Sequence, residues 1–178
     1  MYIESIYRLE WKILNIFAGR GAGKTFTASQ LIKQANNLGL KTGTIFRTKE
    51  SYKYISEKYF PEINANIAYF PQDLKADNLD KDIDLLWVEE PAENLSLSQI
   101  EKILEFSENL KGRIITTNGY FGCSKKEIKL ITAGKDKIES HYYVHNVFIY
   151  PKTVLQELLS GKLIGHIYKE KNGLTIIN

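Results

Sequence analysis

The sequence predicts an α/β fold: a mostly parallel central sheet flanked by helices. Three observations predict it. Short apolar runs recur along the chain, such as Ile13-Leu-Asn-Ile-Phe-Ala18 and Ile83-Asp-Leu-Leu-Trp-Val88. Stretches with apolar residues at helical spacing fall between them. Glycines, prolines and capping residues mark the boundaries. Strands that alternate with helices pair in parallel, and right-handed crossovers bring the loops after the strands to one edge of the sheet.

Taken in order, Lys12–Ala18 suits a buried strand ended by glycines. Lys24–Leu38 follows as a helix, with Phe26, Leu31, Ile32, Ala35 and Leu38 at helical spacing and Gly39 where a C-terminal cap belongs. Thr42–Arg47 reads as a second strand. Lys49–Tyr59 reads as a helix that stops before Pro61. Ile67–Phe70 is a short strand and Ile83–Val88 a strong one. Ser96-Leu-Ser-Gln99 matches a capping box that opens a helix through about Leu110, with Gly112 after it. Arg113–Thr117 is the next strand. Past Asn118 the pattern weakens: Tyr142–Tyr150 reads as a strand, Lys152–Leu159 as a short helix ended by Gly161, and two small strands close the chain. Residues 1–140 are expected to form the core, and 141–178 a lid-like extension of the same domain.

The chain has 178 residues, of which 43% are hydrophobic and 25% charged, which suits one soluble globular domain. No run approaches the roughly 20 apolar residues of a membrane helix. The start, Met-Tyr-Ile-Glu-Ser-Ile-Tyr, has no basic-then-apolar signal pattern. The expectation is a cytoplasmic protein without a membrane partner. The single cysteine, Cys123, excludes an internal disulfide and a cysteine-rich zinc site. Acids predominate from Asp73 to Glu105, and bases from Lys111 to Lys137. A basic region of this kind either meets a phosphate backbone or is a solvated lysine-rich loop.

The first chemical motif is Ala18-Gly-Arg-Gly-Ala-Gly-Lys-Thr25. Gly19, Gly21 and Gly23 let the backbone turn tightly, with Arg20 and Ala22 between them, so that amide groups converge on phosphate oxygens. The following helix adds its positive end. In such a phosphate-binding loop (P-loop) Lys24 reaches the β- and γ-phosphates of ATP, and Thr25 offers its hydroxyl to Mg²⁺. Ala18 stands where the usual pattern has its first glycine. The second motif is Leu85-Leu-Trp-Val-Glu89-Glu90, an apolar strand ending in two acids. Glu89 is assigned to the metal and Glu90 to the attacking water. The third is Arg113-Ile-Ile-Thr-Thr-Asn118, where Thr117 or Asn118 can sense the γ-phosphate; Asn118-Gly119 is equally a turn signal.

Together these stretches resemble the ATPase part of large terminase subunits, the viral DNA-packaging ATPases. The arginine-bearing loop, Leu-Leu-Trp-Val-Glu-Glu-Pro-Ala-Glu-Asn-Leu-Ser, Phe46-Arg-Thr-Lys49 and Ile-Ile-Thr-Thr-Asn118 carry the likeness from about Leu14 to Gly119. It continues faintly through His141–Phe148. Gly119 departs from the family's usual Asn-Pro. The resemblance implies a P-loop NTPase that hydrolyses ATP with Mg²⁺ to translocate double-stranded DNA, working as a homo-oligomeric ring such as a pentamer, in a host cell's cytoplasm. It implies that Arg20 is a charge-stabilising finger at the γ-phosphate, with Arg47 and Arg113 further candidates that act on a neighbouring subunit. The sequence has no room for the family's nuclease fold, so a separate nuclease or portal partner is expected. Two rivals stand beside this reading: a P-loop small-molecule transferase, of the nucleoside kinase or corrinoid adenosyltransferase type, and a slowly hydrolysing nucleotide switch. His141 and His145 sit in a strand-like stretch with no third ligand evident, and Cys123 has no activating partner.

Overall fold

Successive residues of the buried strands go to opposite faces of one sheet, and each face is covered by its own helices. The computed structural model describes residues 12–61, 66–75, 78–119, 122, 124–133, 144–149 and 174–176. Among these, the strands are β1 (Ile13–Ala18), β2 (Thr42–Ile45), β3 (Asn66–Tyr69), β4 (Leu85–Glu89), β5 (Arg113–Asn118), β6 (Val144–Ile149) and β7 (Leu174–Ile176). The helices are α1 (Lys24–Asn37), α2 (Lys49–Tyr59), α3 (Pro71–Lys75), α4 (Pro91–Asn94), α5 (Leu97–Asn109) and α6 (Lys125–Ile131). The sheet order is β3-β2-β4-β5-β1-β6-β7, and every pairing among the described strands is parallel.

Two apolar clusters fill the two faces. Leu14, Ile16, Leu85, Trp87 and Ile115 pack against Ala28, Leu31, Ile32 and Ala35 of α1, with Tyr52, Ile55 and Tyr59 of α2 alongside. Ile13, Leu86, Val88 and Ile114 pack on the other face against Leu74 of α3, Ile100 and Ile103 of α5 and Leu130 of α6. Connections that run along the sheet from β1 toward β3 therefore carry their helices on one face, and those that run back carry them on the other. Right-handed crossovers require that division. The loops after β1 and β5 part toward opposite faces, which opens a crevice at the carboxyl ends of the strands.

Helix starts follow local chemistry. Capping boxes are formed by Thr48 with Ser51, Ser96 with Gln99 and Ser124 with Glu127. Gly39, at φ +73°, follows α1 and donates its N–H to the Asn36 carbonyl. Several expectations need correction. Phe26 and Leu38 are 52% and 69% exposed, because the buried stripe of α1 runs through Lys24, Ala28, Leu31, Ile32 and Ala35. Gly112 is needed less as a helix stop than for close approach: a Cβ there would lie 2.1 Å from the Asp84 carbonyl oxygen. Beyond 141 the described residues are two strands of the central sheet: β6 pairs with β1 and β7 with β6. The expected helix at Lys152–Leu159, Cys123 and His141 lie outside the described residues. None of the described helices is long and apolar enough to cross a membrane.

Candidate active site

Strand order assembles the site. β5 lies between β1 and β4, so the loop after β1, the end of β5 and the acidic end of β4 meet at one edge. In register, Thr117 stands opposite both Ile16 and Glu89, and Asn118 opposite Phe17.

The loop leaves β1 at the buried Gly19 and turns back on itself through an N–H of Ala22 donated to the Gly19 carbonyl at 3.2 Å. Gly21 and Gly23 sit at φ +80° and +89°, the left-handed region that disfavours side chains. A Cβ at either would meet nothing within 4 Å, so the loop borders open space. Arg20, Gly21, Ala22 and Gly23 are exposed. Lys24 opens α1 and turns inward, while Thr25 is half-buried. The first N–H groups of α1 point out of its start with no intrahelical acceptor.

Lys24 Nζ lies 2.9 Å from Glu90 Oε1, with the two side chains 11% and 23% exposed. The two motifs, distant in sequence, thus share one ion pair. Glu90 adopts φ 43°, ψ 54°, and it is the non-glycine residue at positive φ among those described. Its backbone is pinned: its N–H donates to the Thr117 carbonyl at 2.7 Å, and its own carbonyl accepts from Glu93 and Asn94. A left-handed carboxylate-bearing residue held by three backbone bonds is stored strain at a defined point.

Glu89 is half-buried on the α1 face, and the Asn94 amide donates to its Oε2 at 3.1 Å. Burial, and then the Glu90 charge, push its carboxyl up to about 7. Glu93, which sequence reading passed over, joins this group. A Cβ at Gly119 would lie 3.2 Å from Glu93 Oε1, and the Glu90 charge, followed by burial, raises its carboxyl. Its place three residues past Glu90, behind Pro91, was a readable signal for a helix that folds back toward the strand end. Asn94 carried no such signal.

Thr117 is fully buried and its hydroxyl accepts the Trp87 indole N–H at 3.0 Å, on the α1 face. Asn118 is fully buried on the opposite face; its amide donates to Thr116 Oγ1 at 2.9 Å, while its Oδ1 has no hydrogen-bond partner. An orphaned buried acceptor at a strand end is uncommon and costly. Arg47 is exposed just past β2. Arg113 begins β5, at the edge of the sheet away from the loop. Among the described residues no three His, Cys, Asp or Glu side chains gather as a metal cage. Mg²⁺ needs no such cage: one or two protein oxygens beside substrate phosphates suffice, and Thr25 with Glu89 match that donor set.

No family model matches the sequence, and no curated protein matches it either.

Proposed function

We propose that this chain is a Mg²⁺-dependent ATPase of the P-loop class, whose turnover drives double-stranded DNA in the manner of a viral packaging motor. One observation carries the catalytic part: a lysine at the start of a helix, behind a loop of left-handed glycines, lies 2.9 Å from a carboxylate at the end of another strand. Lys24 and Glu90 compete for the same space that a γ-phosphate would take.

In this reading the triphosphate draws Lys24 from Glu90 and replaces one anion with another. Amide N–H groups of Gly21, Gly23 and the first turn of α1 hold the phosphates. Thr25 and Glu89 would hold Mg²⁺, which would supply charge neutralisation to the bound phosphates. Glu90, released from the lysine, accepts a proton from the water whose oxygen attacks the γ-phosphorus. The bond to the β-phosphate oxygen breaks, leaving ADP and inorganic phosphate. Arg20, exposed on the loop, offsets charge on the oxygens in transfer. Asn118, with its unpaired Oδ1, reports the change at the end of β5.

The motor part rests on the resemblance and on charge. Lys125 and Lys129 are exposed on α6, on the face opposite α1. DNA supplies the phosphate backbone such lysines meet, and a ring lets one subunit hold while another steps. The test is phosphate release measured with and without double-stranded DNA, across protein concentration. The expected result is turnover that rises with DNA and with assembly. Turnover indifferent to both would leave an ATPase that is not a motor. Transfer of the phosphoryl group to a small acceptor in preference to water would favour the transferase rival.

A further inference from the structure

α1 carries an aromatic residue away from its buried stripe. Its buried stripe begins at Lys24, and Phe26 stands roughly 200° further round the helix, 52% exposed. It is two residues past the phosphate-loop lysine, on the first helical turn. The side chain does not stand alone. The ring of Tyr59, at the end of α2, meets it edge-on, with centroids 6.4 Å apart and planes at 68°. The ammonium of Lys58 lies 5.1 Å from the Tyr59 centroid. One edge of Phe26 is therefore braced and its remaining surface is open beside the start of α1.

We propose that Phe26, braced by Tyr59, is the platform on which the base of the bound nucleotide stacks. The inference rests on the phosphate-loop reading and extends it to the other end of the same ligand. Phosphates held by the amides of the first turn leave the ribose and base to run outward from that turn, and the solvent-facing side chain there is Phe26. An aromatic face offers stacking to any base, whereas base identity is read by hydrogen-bond donors and acceptors at fixed positions. The groups gathered here are ring faces and a lysine ammonium that donates to the Tyr54 hydroxyl at 3.4 Å, so the site demands a base without demanding adenine. Purines, with larger faces, stack better than pyrimidines.

The experiment compares binding of Mg²⁺–ATP, Mg²⁺–GTP and Mg²⁺–tripolyphosphate to the full chain by titration calorimetry, in wild type, Phe26→Ala and Phe26→Trp. In wild type both nucleotides should bind about 10-fold or more tightly than tripolyphosphate. Phe26→Ala should bring the nucleotides to the tripolyphosphate level while tripolyphosphate binding stays unchanged. Phe26→Trp should restore the gap and add, beyond any change from Trp87 in wild type, a fluorescence change with nucleotide but not with tripolyphosphate. A melting temperature of Phe26→Ala close to wild type is expected from its exposure. Equal binding of nucleotide and tripolyphosphate by wild type overturns the proposal. So does a gap that survives Phe26→Ala, or an equal loss of both ligands in that variant. If tripolyphosphate binds, the phosphate loop stands whatever becomes of the platform; if neither ligand binds wild type, both fall together.

Discussion

At the scale of single residues, the two cations of the loop take different positions. Lys24 faces inward to Glu90, whereas Arg20 is exposed. An arginine that acts only as charge develops should matter to turnover and little to ground-state binding. Arg20→Ala is expected to hold Mg²⁺–ATP within a few-fold of wild type while phosphate release falls by about 10³-fold or more; unchanged release would take Arg20 out of the reaction. Glu89 gives a second prediction. Its carboxyl is raised from the usual 4.5 to about 7, by burial first and the Glu90 charge second. The folded state thus holds a proton that the unfolded state releases between those two values, so stability falls as pH rises from about 4.5 to about 7 and is flat above. Without metal, Glu89→Gln should stabilise the protein at pH 8 by on the order of 2–3 kcal/mol and change little near pH 4.5. Melting temperatures at the two pH values check this; an equal effect at both would contradict it. The loop and the paired glutamates were legible in the sequence because residue types and spacing carry them. The backbone strain at Glu90 was not, since it depends on what β5 offers across the sheet.

Among the elements, β1 shows how far local pattern reaches. Its apolar run predicts a buried strand, and one polar residue interrupts it. Asn15 is fully buried and ties three strands together. Its amide donates to Asn146 Oδ1 in β6 at 2.9 Å and to the Leu130 carbonyl of α6 at 3.0 Å, and its Oδ1 accepts the Thr116 hydroxyl of β5 at 2.6 Å. The Thr116 oxygen in turn accepts from Asn118. Asn15→Ala would strand several buried polar groups together, at about 1–3 kcal/mol for each left unsatisfied. Urea unfolding should show a loss of roughly 3 kcal/mol, and a change under about 0.5 kcal/mol would mean that water or repacking replaces the network. The interrupted run was a visible signal, but its partners sit in strands whose order the sequence does not state. Helix ends were legible to within a residue or two where glycine or a capping box marks them, as at Gly39 and Ser96. The short helices α3 and α4 have too few residues for helical spacing to register.

For the whole molecule, alternating strands and helices foretold a parallel sheet, and a parallel sheet foretold that the loops after its strands gather along one edge. What they left open was which strand lies beside β1. The insertion of β5 between β1 and β4 brings Thr117 and Asn118 between the loop and the glutamates. Only long-range pairing decides that. The exposed Phe26 shows the opposite limit: helical spacing alone enrolled it in a core that the true buried stripe excludes. The most direct test of the central claim, that loop and glutamate serve one phosphate, is calorimetric titration of Mg²⁺–ATP into wild type, Lys24→Ala and Glu90→Gln, with phosphate release measured in parallel at high protein concentration with DNA present. Glu90→Gln, by removing the competitor for Lys24, should bind at least as tightly as wild type and release phosphate about 10²-fold more slowly or worse, and Lys24→Ala should lose binding. A wild-type chain that ignores millimolar Mg²⁺–ATP, or a Glu90→Gln variant that hydrolyses at the wild-type rate, would contradict it.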